Sequence, residues 1–180
     1  MNTKRLIVNR SKLHKKKTAE LSNSEWQELQ QYLVCGLYLL DQPRRNIYAG
    51  MKVVNTEADL DNKSRHNYLL NKNSSTKIFY INDQKSKSMP ATQIITVSKE
   101  LNSILIKWLR HNTTGHLLIK LNKKHKGLDT NRFEPMTKNY LTKYLNRLFA
   151  PTGSTNISSQ MLRKYTTLRH MGQQWPVLMH

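Results

Sequence analysis

Ile78-Phe79-Tyr80-Ile81 is followed by a polar connector from Asn82 to Ala91, then by Thr92-Gln93-Ile94-Ile95-Thr96-Val97 and Ser98-Lys99-Glu100-Leu101. Both apolar runs are rich in β-branched and aromatic residues, which fit a pleated, half-buried surface. With a polar, basic connector between them they predict a β-hairpin with a long tip. Ser98 predicts a helix start, because its hydroxyl can accept from a first-turn N–H. Leu101, Ile104, Leu105, Trp108 and Leu109 then recur on one helical face. His111 to Thr114 ends that helix, with Gly115 as the stop.

Upstream, Ser22 and Glu25 have capping-box spacing. Trp26, Leu29, Leu33, Leu37 and Leu40 recur at helical intervals, so a helix is expected to about Asp41, where Pro43 stops it. Residues 44–54 form a junction, and residues 55–75 read as polar loop with Tyr68-Leu69-Leu70 as a short strand. Downstream, Leu117-Leu118-Ile119 reads as a brief strand or buried turn, and Lys120 to Arg132 as a basic loop. Thr137 caps a helix carrying Tyr140, Leu141, Tyr144, Leu145, Leu148 and Phe149, the clearest amphipathic pattern in the chain. Pro151 to Ser154 is a turn, and Ser158 caps a last helix with Met161, Leu162 and Tyr165 inward. Trp26, Trp108, Tyr140 and Tyr144 lie on apolar stripes and read as core. The fold class is therefore α+β, mostly helical, with a small antiparallel sheet or β-hairpin. Residues 1–20 form a basic arm, 21–168 the domain and 169–180 an irregular tail.

The net charge is +19, from 30 Lys and Arg against 11 Asp and Glu in 180 residues. That excess repels itself in a compact fold and favours a polyanionic partner, nucleic acid before an acidic membrane. Residues 1–19 hold seven Lys or Arg and no acid, and no acid follows Glu134. Cys35 is the single cysteine, which excludes an internal disulfide and fits a reducing, intracellular compartment. Nucleus, cytoplasm and viral factory are not distinguished. No apolar stretch reaches the roughly 18 residues of a membrane span, and the seven histidines show no metal-ligand spacing. Neither a metal nor another cofactor is expected.

Three segments occur in an informative order. Gln42-Pro43-Arg44-Arg45-Asn46-Ile47-Tyr48 follows the first helix. Phe79 to Ser86 carries Lys85 on the hairpin. Ile157-Ser158-Ser159-Gln160-Met161-Leu162-Arg163-Lys164 comes last. Over residues 20–165 this order resembles the catalytic domain of tyrosine recombinases, especially the divergent integrase-like proteins of large DNA viruses and mobile elements. The resemblance implies a metal-free reaction in which a tyrosine hydroxyl attacks a DNA phosphate. Fixed cations then stabilise the charge gained at phosphorus. Arginine suits that role because its planar fork grips two phosphate oxygens and stays charged. A hairpin lysine can donate a proton to the leaving 5′ oxygen.

By the same resemblance, Arg44 matches the first arginine, with Arg45 as the alternative one register on. Lys85 matches the hairpin lysine, with Lys87 as its alternative, and Arg163 matches the second arginine. Gln160 stands where the family often has histidine; it can bond a phosphate but cannot shuttle a proton. Arg45, Lys87, Lys138, Lys143 and Lys164 are expected to contact DNA. The implied partner is double-stranded DNA, bound by a homo-oligomer on paired sites.

Two departures stand against the pattern. The acid that the family carries three residues after its first arginine is replaced by Ile47. The nucleophilic tyrosine has no counterpart: Tyr165 is the sole tyrosine among the 17 residues after Arg163, and it falls on the helix's apolar side. The resemblance therefore implies a chain inactive in strand exchange on its own. The aperiodic tail fits a reading-frame change after Lys164, which sequencing past the stop would check. The rival reading is a non-enzymatic DNA- or RNA-binding module that needs only a basic surface; a decayed reading frame is a third.

Overall fold

A computed structural model describes residues 21–40, 44, 46–61, 65–82, 92–122, 132–150 and 161. The first helix, α1 (Asn23–Leu39), begins as expected: Ser22 Oγ accepts from Glu25 N, and Glu25 Oε2 accepts from Ser22 N at 2.9 Å. A 3-10 turn, η1 (Asn46–Tyr48), leads to β1 (Lys52–Val54), and a second, η2 (Glu57–Asp59), precedes β2 (Tyr68–Leu70). The hairpin strands are β3 (Ile78–Ile81) and β4 (Gln93–Thr96). Next come α2 (Lys99–His111), β5 (Ile119–Leu121), β6 (Phe133–Pro135) and α3 (Lys138–Phe149). Ser98 caps α2 and Thr137 caps α3, each hydroxyl accepting the third residue's N–H at 3.3 Å.

The class is α+β, but the main sheet is mixed rather than antiparallel. Its order is β1-β2-β3-β4, with β1 parallel to β2 and the other pairs antiparallel. A three-residue strand has too little periodicity to read locally, and a parallel partner is always distant in sequence. The brief strand read at Leu117-Leu118-Ile119 is β5, which runs on through Lys120 and Leu121 into the stretch read as loop and pairs antiparallel with β6, just beyond Arg132. The last helix expected from Ser158 lies outside the described residues except at Met161.

One face of the sheet carries Val53, Leu69, Phe79 and Ile95 in register, and this face meets the core. Helices α1 and α2 pack against each other and share that core. Gly36 permits their close approach: a Cβ there would stand 2.8 Å from Ile104 Cδ1 and 3.3 Å from Leu101 Cδ1. Trp26 and Trp108 meet edge to face at 5.4 Å, and Trp26 also packs on Phe133 at 4.6 Å. Trp26, Trp108 and Tyr144 are buried as expected, whereas Tyr140 is half-buried.

Helix α1 is joined to β5 by a polar link inside the core. Gln30 Nε2 donates to Ile119 O, and Gln30 Oε1 accepts from Ile119 N, both at 2.8 Å. One side-chain amide thus completes a strand residue's backbone bonding, as a neighbouring strand would.

Lys77 is a second buried polar group, only 2% exposed, and its ammonium donates to Asn73 O at 3.2 Å. Burial pushes its pKa below the ordinary lysine value. Native Lys77 therefore discharges at a lower pH than the unfolded chain's lysine, whose pKa is near ~10.4. Between those two values the unfolded state binds more protons, so stability rises with pH. We expect Lys77→Met to be relatively most stabilised at neutral pH and to lose that margin against the wild type by pH 10. Urea titrations of both proteins across that range check this; a constant gap would remove the desolvated charge from the account.

Candidate nucleic-acid interface

Arg44 follows α1 and is half-buried. Its Nη1 donates to the side-chain carbonyl of Gln93 at 2.7 Å, across 49 residues of sequence. Among the described residues no carboxylate lies within ion-pair distance of it; the ion pairs there are Lys72–Glu57 and Lys120–Glu134. A guanidinium has five N–H donors in a rigid fork. One faces a neutral amide, and no acid among the described residues offsets the charge. Oxyanions fit such a group best, because they accept two N–H bonds at once.

A web of asparagines holds the Arg44 junction in place. Asn46 Nδ2 donates to Thr142 Oγ1 at 3.0 Å and to Lys138 O at 3.4 Å, tying η1 to the first turns of α3. Asn67 Nδ2 donates to Ile47 O at 3.0 Å, and Asn67 Oδ1 accepts from Asn82 N at 2.9 Å. Asn82 Oδ1 in turn accepts from Thr92 Oγ1 at 2.8 Å. The chain of bonds runs from the junction to both roots of the hairpin, Asn82 on the outgoing side and Thr92 on the return. Gln93 is the next residue. Local turn preference explains these asparagines only in part; their partners are 15 to 96 residues away, except for the ten-residue step to Thr92.

Of the residues expected at the site, Arg44, Lys138 and Lys143 are described. Lys138 and Lys143 are exposed on α3, as is Arg147, and the helix contains no acid. Arg44 and the backbone of Lys138 are brought to the same junction through Asn46. Lys143 follows five positions after Lys138, roughly 140° further round the helix, on the solvent side. Arg45, Lys85, Lys87, Gln160, Arg163 and Lys164 lie outside the described residues. Gln93, Asn46, Asn67 and Arg147 were not expected at the site. The available signal for Gln93 was its place as the first polar residue of the returning strand.

A separate cleft of about 330 Å³ opens between α1, the β5–β6 pair and α3. Trp26, Phe133, Tyr140, Tyr144 and Arg147 are among its walls. The Arg147 guanidinium lies 5.6 Å, and Lys120 Nζ 6.0 Å, from the Tyr140 ring. Arg44 and Gln93 do not line it.

Comparison with protein-family models, with curated proteins and with solved structures found no match for this chain. No group of three or more His, Cys, Asp and Glu among the described residues could hold a metal ion. No described helix is long and apolar enough to cross a membrane. At the sheet's other end, His116 pairs with Lys52 in an isolated bridge. Burial first, then the charges of Lys52 and His66, hold its pKa below the ordinary histidine value. At neutral pH His116 therefore adds no charge to the basic surface.

Proposed function

We propose that this chain grips the phosphate backbone of duplex DNA, with Arg44 as the positioned cation of a tyrosine-recombinase-like phosphate site. One observation carries the reading: Arg44 is fixed by a neutral amide at the hairpin root, and no acid among the described residues neutralises it. A guanidinium that no described acid neutralises is suited to an external anion. The +19 net charge supplies the long-range attraction. Lys85 and Arg163 complete the phosphate pocket in this reading, with Gln160 as a neutral hydrogen-bonding partner. The role is phosphate binding; no residue is assigned as the nucleophile.

The rival is a diffuse basic surface, and the exposed Lys138, Lys143 and Arg147 on acid-free α3 favour it. Anisotropy titrations with a duplex oligonucleotide separate the two. A localised site predicts about a tenfold loss for Arg44→Ala, in the range for a hydrogen bond to a charged group, and a small loss for Lys143→Ala. It also predicts a disproportionate loss when Arg44→Ala and Arg163→Ala are combined. Under either reading log K falls with log salt by about 0.9 per phosphate contact. Equal, small effects of Arg44→Ala and Lys143→Ala would leave only the diffuse surface.

A further inference from the structure

We infer that Gln93 is the positioning residue for Arg44, and that its neutrality sets the site's affinity for a phosphodiester. The inference rests on the phosphate-binding reading and adds what aims the cation. A long arginine side chain loses substantial rotamer entropy when a ligand immobilises it. Arg44 is already restrained at its tip by the 2.7 Å bond to Gln93. Gln93 is itself anchored by its strand, since it pairs with Ile81, and the preceding Thr92 is bonded to Asn82. At the other end, Asn46 and Asn67 fix the backbone on the far side of Arg44. The side-chain tip, and the chain two and three residues further on, are thus held before any ligand arrives, which lowers the ordering cost of binding.

The type of anchor matters as much as its position. A carboxylate at position 93 would hold the guanidinium equally well but would offset its charge. A phosphodiester carries a single negative charge and gains most from an arginine whose charge is intact. Ile47, three residues after Arg44, supplies no carboxylate either, and its carbonyl already accepts from Asn67. The amide of Gln93 restrains the fork without competing electrostatically with the ligand.

The test uses the full chain and a duplex oligonucleotide, titrated at several salt concentrations. Gln93→Glu should weaken binding about tenfold and reduce the salt slope by about one, as one phosphate contact is lost to an internal ion pair. Gln93→Ala should weaken binding about three- to fivefold with the slope retained, because the charge survives and only its aim is lost. In an Arg44→Ala background, Gln93→Ala should cost nothing further; this coupling isolates the action through Arg44. Thr96→Glu, exposed on the opposite face of the same strand, controls for the added net negative charge and should leave the slope unchanged. Gln93 is exposed, so thermal melts of its variants should stay close to the wild type and confirm folding. If Arg44→Ala weakens binding while the Gln93 variants behave as wild type, the positioning role is overturned and phosphate binding stands. If Arg44→Ala itself binds normally, the phosphate site falls and the inference with it. A full Gln93→Ala loss in the Arg44→Ala background would also overturn it.

Discussion

Trp108→Ala is expected to lower the free energy of unfolding by about 4 kcal/mol, within the range for large aromatic truncations in a core. Trp108 has no exposed surface and lies where α2 meets both α1 and the start of β5. Its ring meets Trp26 edge to face, and its Nε1 donates to Leu117 O at 2.9 Å. Alanine leaves a cavity that rigid helices cannot close, and it orphans a buried carbonyl. Single domains hold only about 5–15 kcal/mol in total, so the variant should be partly unfolded near 37 °C. Trp108→Phe keeps most of the packing and loses the indole donor, which should cost less than half as much. Guanidinium denaturation of the three proteins gives the comparison. A drop below about 1 kcal/mol for the alanine variant would mean that the core is not organised around this ring.

Gln30→Leu is expected to cost about 3 kcal/mol despite adding an apolar residue to an apolar core. The reason is Ile119. Both of its backbone groups are satisfied by the Gln30 amide, and each buried group left without a partner costs about 1–3 kcal/mol. Gln30→Glu offers a sharper version. An ionised carboxylate can accept from Ile119 N but opposes Ile119 O. Protonation converts one oxygen into a donor and restores both bonds. The buried acid's native pKa should therefore stand above its unfolded value. Stability is then present at acid pH and falls as pH rises through the unfolded pKa, near ~4.3, toward the native one. Urea midpoints at pH 4 and pH 7 measure this, relative to the wild type. If Gln30→Leu proves neutral and Gln30→Glu shows no relative gain in acid, the double bond to Ile119 is not a structural joint.

Much of the local structure was legible in the residues. Ser22 with Glu25, Ser98 and Thr137 mark three helix starts, because a hydroxyl acting on its own first turn involves only neighbouring residues. The hairpin of Ile78–Ile81 with Gln93–Thr96 was legible because its partners flank a single connector. Strand β1 was not, since Lys52–Val54 gains its identity from Tyr68–Leu70 across a polar stretch. The pairing of β5 with β6 was hidden in the same way, since the two strands flank the basic stretch read as loop and are too short to show a period.

The candidate site divides along the same line. Arg44 can be singled out from its place after a helix, and the family resemblance proposes Lys85 and Arg163 to accompany it. Its partner Gln93 cannot be found that way, nor can the links of Asn46 to Thr142 and of Asn67 to Ile47, because an amide side chain carries no periodic signal.

What the amino-acid order settled alone is the charge, the helix caps, the amphipathic stripes and the hairpin, all of which depend on residues close in sequence. Only the folded molecule decided the parallel pairing of β1, the amide joint between Gln30 and Ile119, and the fixing of Arg44 by Gln93. Hydrogen bonds between distant groups exist only after packing has brought those groups within about 3 Å, and hydrophobic burial, which does the bringing, is non-directional.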